Sequence, residues 1–334
     1  MSVHRWIAAG GIALAVIAPV ASLPGSTAAT AQTVRIATSR GVNFVSLWGM
    51  GPFAEKQGLR IEMIDAVTNA DQQRSIQVGG AEVASLGYQS PAVMAEQGVA
   101  GLKIIAGLYL GGQNLIMRKG VELRAWKDLE GKKIGRAPGT YAQVLFILAA
   151  QVNNVDVSKI NLVNITAVGT AELQALKNGD LDGLVLFSPT VDRGVVDGYA
   201  YYPPCCDISS TRKFGGRNQV LAASASFLRD RAVMLRFLKA YVDAQQFYMG
   251  DKNRAMEVIG QYTGVSREVI AEALKHATWD YRVDIPTAVA VAKEGPNFGF
   301  TKTDMSAKVE DYFDLSYLSE VTGRPRAELD RIAQ

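Results

Sequence analysis

From Val34 onward the chain alternates short apolar runs with amphipathic stretches of three- and four-residue spacing. Val34–Ala37 predicts a strand, Phe44–Gln57 a helix stopped by Gly58, and Leu59–Asp65 an alternating strand. Asn69 is placed to cap a helix running through Val78 and ended by Gly79-Gly80. Val83–Leu86 is a short continuous apolar run, which predicts a buried strand. Ser90-Pro91 then opens a helix, and Leu102–Leu110 is the next strand. The same order returns downstream: strand Lys133–Gly135, helix Thr140–Asn153, strand Ile160–Ile165, helix Thr170–Asn178, strand Gly183–Phe187, and a helix opened by Ser188-Pro189. Strands separated by helices predict parallel, doubly wound α/β sheets.

Two of these modules echo one another. Gly79 is followed by Glu82, an apolar strand and Ser90-Pro91; Gly179 is followed by Asp182, an apolar strand and Ser188-Pro189. The spacing differs by two residues, so the echo is structural and not a sequence repeat. In each, Ser is expected to cap the helix and Pro to fit its first turn. The echo predicts two similar α/β lobes. After Phe214-Gly215-Gly216 comes the strand Asn218–Ala223, then a long helical region from Ser226 and helices over Met256–Tyr262 and Ser266–His276. Helices that follow a finished second lobe are expected to cover the first, with crossings near Arg118 and near Gly216.

The stretch Trp126–Tyr141, WKDLEGKKIGRAPGTY, predicts a short helix, a turn at Gly131, a strand, and a tight turn launching a new helix. Thr140 is a good N-cap, and Gln143 three residues on completes a capping box. Gly139 lets the backbone approach whatever lies above the turn. Such a helix start favours a carboxylate, sulfonate, phosphate or polar ring edge.

The first residues read as a cleavable secretion signal over 1–31. His4 and Arg5 precede an apolar run from Trp6 to Val20, and Ala29-Thr30-Ala31 offers small residues for cleavage. The formal net charge of +3 includes Arg5, and no basic run suggests a nucleic-acid partner. With 48% hydrophobic residues, the remainder can bury a large core and divide into two domains. His276 is the only histidine beyond the signal, which argues against a His-rich metal site; a Ser-His-Asp triad would lack a nucleophile-elbow motif. Its setting, ALKHATWDY, reads as helical. Cys205 and Cys206 are adjacent. Two reduced, buried thiols are the simplest reading, and a place in a ligand wall is the sharper one.

Four stretches together carry a family resemblance: the leader, IQVGGAEVASLGYQSP, WKDLEGKKIGRAPGTYAQ with its following helix, and LQALKNGDLDGLVLFSP. The terminal DYFDLSYLSEV fits as well. The chain resembles a type II periplasmic solute-binding protein of an ABC importer. The nearest branch includes taurine, alkanesulfonate, nitrate and thiamine-precursor binders. The resemblance spans essentially the whole chain after the leader and is not specific to one solute. It implies an α/β fold of two doubly wound lobes with a ligand cleft between them. Residues 32–118 and 217–334 would form lobe 1, and residues 119–216 lobe 2.

Ligands of doubly wound folds sit beyond the carboxyl ends of the strands. That points to Ser39–Phe44, Tyr88–Ser90 and Gly111–Asn114 in lobe 1, and to Gly139–Tyr141 and Phe187–Pro189 in lobe 2. Ser39 lies in the first of these loops, and Ser90, Thr140 and Ser188 would offer hydroxyls, with structural caps as the plainer alternative. Phe44, Tyr88, Tyr141 and Phe187 would stack on a flat ligand or line the core. Asn43, Gln89, Gln113 and Asn114 would orient it, Gly139 would admit it, and Cys205 would reach the cleft through YYPPCC. Arg40 and Arg136 are the only bases in or beside these loops, and Arg40 would neutralise an anion.

Many aromatic and amide residues with few bases favour a small organic solute with a flat or aromatic part, a carboxylate or a pyrimidine. A taurine-like sulfonate is the alternative, and a desulfinase-like enzyme on the same fold is the rival class. The resemblance implies a non-enzymatic, monomeric periplasmic protein without cofactor or metal, delivering its solute to a permease in the cytoplasmic membrane.

Overall fold

The computed structural model describes residues 31–165, 170–208 and 217–330. The leader and the crossing expected near Gly216 lie outside these residues. Two sheets organise the molecule. The first contains β1 (Gln32–Thr38), β2 (Leu59–Asp65), β3 (Val83–Gly87) and β4 (Lys103–Gly111). The second contains β5 (Gln113–Arg118), β6 (Lys133–Arg136), β7 (Asn161–Asn164), β8 (Gly183–Phe187) and β9 (Ala200–Tyr201). The chain then returns to the first sheet with β10 (Arg217–Ala223) and β11 (Ala277–Trp279). Strand orders are β11-β4-β10-β3-β1-β2 and β7-β6-β8-β5-β9.

Each sheet is mixed, where the sequence pattern predicts parallel strands alone. β1 runs parallel to β2 and β3, and β6 parallel to β7 and β8. β10 is antiparallel to β3 and β4, and β5 is antiparallel to β8 and β9. The reason lies in the connections, because a parallel neighbour needs a crossover helix. The chain instead passes from Gly111, the last residue of β4, to β5 through Gly112 alone, and it enters the second sheet against the direction of β8. This first crossing therefore precedes the boundary expected near Arg118: Gln113–Arg118 belongs to the second sheet. Gly111 and Gly112 have φ of 76° and 73°, values that favour glycine. A Cβ on Gly111 would meet His276 O at 2.2 Å, and one on Gly112 the Tyr109 hydroxyl at 2.1 Å.

The helices that place the strand-end loops are short. Val42–Phe44 is a 3-10 turn, followed by α1 (Val45–Trp48) and α2 (Gly51–Lys56), so the single helix expected over Phe44–Gln57 is broken at Gly49-Met50. α3 (Asn69–Gln77) is capped by Thr68, whose hydroxyl accepts Asp71 N–H, and not by Asn69. α4 (Ser90–Glu96) starts one residue after Gln89, which holds the cap position, so Ser90 is helical and does not cap. α5 (Tyr141–Val152), α6 (Thr170–Asn178) and α7 (Thr190–Val196) serve the second sheet. In α7 the cap position is Pro189, after a cis Ser188-Pro189 peptide.

The later segments α8 (Ala225–Arg229), α9 (Arg231–Gly250), α10 (Lys252–Thr263) and α11 (Arg267–Ala273) return to the first lobe. His276 lies beyond α11, at a bend. No helix among the described residues is long and apolar enough to cross a membrane.

α5 is apolar on two faces. Ala142, Phe146, Ala149 and Ala150 join the core of the second lobe. Tyr141, Val144, Leu145 and Leu148 join the core built on the first sheet. A helix hydrophobic all round must be covered on all sides, and here each lobe covers one side.

Candidate functional site

The strand ends of both sheets meet around a cavity of about 270 Å³. From the first lobe it is lined by Ser39, Arg40, Asn43 and Phe44 after β1, by Val67, Asn69 and Gln72 after β2, and by Gly87 and Gln219. From the second lobe come Gln113, Thr140, Tyr141, Ala142, Phe187, Ser188 and Thr190. Eight of the residues expected at a ligand are thus brought to one space: Ser39, Asn43, Phe44, Gln113, Thr140, Tyr141, Phe187 and Ser188.

The other six lie elsewhere. Gln89, Ser90 and Gly139 line a neighbouring outer cavity. Asn114 points away from Gln113, as alternate strand residues do, into a smaller cavity beside Tyr202, Cys206 and His276. Tyr88 is buried in the first-lobe core, with its hydroxyl accepting Asp284 N–H at 2.9 Å and its ring 6.3 Å from that of Tyr141. Cys205 packs against the second-lobe core, with Sγ 3.8 Å from Leu123 O. It is bonded to Cys206, where two reduced thiols are the simplest expectation. Cys206 N–H donates to Pro203 O, so the pair sits on a tight turn that lets adjacent side chains converge. Val67, Asn69, Gln72 and Gln219 were not anticipated. The strand-end rule applied to β2 points to the first three, whereas Gln219 lies within a strand and carries no sequence signal.

The walls carry amides and little free charge. Gln72 Nε2 donates to Ala66 O at 2.8 Å while its Oε1 has no partner. Gln113 Oε1 and Gln219 Oε1 are likewise buried and without hydrogen bonds. Buried polar atoms normally have partners, so three unpaired amide oxygens on residues that line one cavity make it a place where donors are expected. A rotated amide offers N–H groups instead, and such a wall can read a ring edge of either polarity. Arg40 is already engaged: Nε lies 2.6 Å from Asp65 Oδ2, Nη1 donates to Tyr262 O, and the guanidinium stacks 4.7 Å from the Trp48 ring.

The start of α5 is arranged differently from a simple capping box. Thr140 Oγ1 accepts Gln143 N–H at 3.4 Å and donates to Ala137 O at 2.8 Å. Gln143 Oε1 accepts from Gly139 N at 2.9 Å and from Arg136 Nη1 at 3.0 Å. The glutamine thus reaches back one residue further than the motif requires and ties the turn to β6. Burial lowers the Arg136 pKa. Behind Ser188, whose N–H donates to Gly112 O, lies the fully buried Asp192. Its Oδ1 accepts the Tyr202 hydroxyl at 2.5 Å. Burial pushes this carboxyl up despite the neighbouring hydroxyls. Burial also holds the Tyr202 and Tyr109 hydroxyls well above the usual tyrosine range.

None of the curated proteins matches the chain in sequence. Its fold is shared with the ligand-binding component of an ABC-type import system from Staphylococcus aureus, solved with zinc bound. The TM-score is 0.70 at 15% identity, over 88% of this chain and 99% of that one. Among the described residues here, no group of three His, Cys, Asp or Glu could hold a metal ion. The periplasmic aliphatic sulphonate binding protein SsuA of Escherichia coli gives 0.69 at 15% identity, over 83% and 91% of the two chains. A mutant of the desulfurization enzyme DszB, solved in complex with biphenyl-2-sulfinic acid, gives 0.64 at 16% identity, over 88% and 100%. These likenesses establish the two-lobed α/β architecture of periplasmic binding proteins. The family model described as NMT1/THI5 like matches residues 52–255, from α2 through the whole second lobe and back into α10. That match takes in more than half of the chain, and the protein belongs to the NMT1/THI5-like family.

Proposed function

We propose that the protein is the extracytoplasmic solute-binding component of an ABC importer, secreted by its leader, and that it takes a small, uncharged, planar organic solute of the aromatic or heterocyclic class. The observation that carries this reading is the cavity between the two sheets, with its unpaired amide oxygens on Gln72, Gln113 and Gln219. Phe44, Tyr141 and Phe187 on the same walls supply faces for a flat ring. An anion in this cavity would need an unpaired cation on its wall, and Arg40, the one base among the described residues lining it, is held by Asp65. Capture proceeds by closure about Gly111-Gly112: the first lobe binds the solute, and Gln113, Thr140, Phe187 and Ser188 close over it. The closed pair of lobes is what a membrane permease would read, and a single chain suffices.

The neighbours that are binding proteins support a sulfonate as the second reading, since Arg40 does stand on the cavity wall. The desulfinase-like alternative has less support. It needs a reactive thiol at the solute, and the two cysteines are bonded to each other with Cys205 away from the cavity.

A thermal-shift screen of the exported protein against pyrimidines, flavins, aromatic carboxylates and sulfonates tests the reading. A nitrogen heterocycle should raise the melting temperature, and Gln113→Leu should weaken its binding by about tenfold or more. Stabilisation by taurine alone, fading with salt, would replace the uncharged solute with an anion.

A further inference from the structure

Beside the central cavity lies a second one of about 390 Å³. It is walled by α3 and α4 of the first lobe and by Gly139 of the second, and both cavities are lined by Asn69. Gln89 stands at the boundary. It lines the outer cavity, yet its amide lies over Gly87, which lines the inner one: a Cβ on Gly87 would meet Gln89 Oε1 at 2.3 Å and Nε2 at 2.9 Å. Gln89 is only 4% exposed, and its Oε1 has no hydrogen-bond partner. A buried acceptor without a donor, set where two cavities meet, asks for a ligand N–H or O–H at that point.

The rest of the outer cavity suits such a ligand. Ser90 and Gln97 give it polar edges, Asp71 and Arg74 one charge of each sign, and Val93 and Phe300 an apolar patch. Gly139 presents only backbone on the far side, and a Cβ there would meet nothing within 4 Å.

We propose that the two cavities are one bipartite solute site, divided by the Gln89 side chain, and that its ligand is a planar ring carrying a hydrogen-bonding arm. The ring lies among Phe44, Gln113 and Phe187. The arm passes Gln89, donates to its Oε1, and ends between α3 and α4. Gln89 is then a specificity-determining residue. This rests on the uncharged-ring reading above and adds the arm.

The test is calorimetric titration of the full exported chain with matched pairs of base and nucleoside, cytosine with cytidine and adenine with adenosine. At least one nucleoside should bind the wild type about tenfold more tightly than its base, ~1.4 kcal/mol. Val93→Phe, which fills the outer cavity, should remove that advantage and leave the base affinity unchanged. Gln89→Leu should weaken the nucleoside more than the base. A base that binds as well as its nucleoside, or a Val93→Phe variant that weakens both equally, overturns the bipartite site while leaving the inner-cavity reading in place. If neither bases nor nucleosides bind, both readings fall together.

Discussion

The central strands of the two lobes, β3 and β8, invite a direct comparison. Each follows a glycine with positive φ, Gly79 or Gly179. In each the preceding turn returns two N–H groups to one helix carbonyl, Gly80 and Ala81 to Ser75 O, Asp180 and Leu181 to Ala175 O. Each carries an acid that clamps the parallel neighbour: Glu82 accepts Arg35 N–H at 2.8 Å, and Asp182 accepts Lys133 N–H at 2.9 Å. The lobes diverge at the strand ends. The last residue of β3 is Gly87, over which Gln89 folds, and the last residue of β8 is Phe187, a ring on the cavity wall. Four residues after the serine, the first lobe buries Met94 and the second buries Asp192. A shared scaffold thus fixes where the walls stand, while a few residues at the strand ends decide what each wall can recognise.

If the scaffolds are equivalent, deleting matched core leucines should be equally damaging. Leu86→Ala and Leu186→Ala each remove a fully buried side chain and should cost about 2–5 kcal/mol in urea unfolding. A loss below about 1 kcal/mol in only one would break the equivalence. Next in size is the strand-end difference. Phe187→Ala should weaken binding of a heterocycle by about tenfold through loss of the stacking face, with the fold retained by circular dichroism. Undiminished affinity would remove Phe187 from the wall.

The first-lobe clamp also makes an ion pair. Burial raises the Glu82 carboxyl, but the hydrogen bonds and charge of Arg35 outweigh it and leave it below the usual range. Its contribution is therefore full above the ordinary carboxylate range and is lost as pH falls through the lowered value. Glu82→Gln should flatten that acid limb, at about 1 kcal/mol or less for so exposed a pair; an unchanged limb in thermal unfolding between about pH 6 and 3 would count against the clamp. The smallest effect belongs to Asp192. Its raised carboxyl favours the folded protein at low pH, and the benefit is lost as pH rises through that raised value. Asp192→Asn should remove this decline and stabilise the protein above the ordinary aspartate range. Parallel pH profiles of wild type and variant would refute it.

Much of the frame was legible in the chain. Leu59–Asp65, Thr170–Asn178 and Gly183–Phe187 form where the pattern places them, because their periodicity matches their burial. Strand direction was not legible. The apolar run of β10 looks like that of a parallel strand, while β5, read as a loop at Gly111–Asn114 and a crossing near Arg118, was not placed as a strand at all; both follow from connections that periodicity does not encode. The site divided in the same way. Strand-end loops brought Asn43, Gln113, Phe187 and Ser188 together. Tyr88, one residue beyond β3, turned into the core, since position at a strand end does not fix which face a side chain takes. Gln72 was missed because a glutamine inside a helix looks like a solvated one until its oxygen is found buried.

The two-faced α5 has a consequence for how the lobes are joined. Separating the lobes would bare Tyr141, Val144, Leu145 and Leu148, which now lie within the first-lobe core. These four side chains join the second lobe to the first, and moving the lobes apart would cost their burial. A polar residue at the buried Leu148, which does not line the central cavity, would loosen that seam without changing the walls of the cavity.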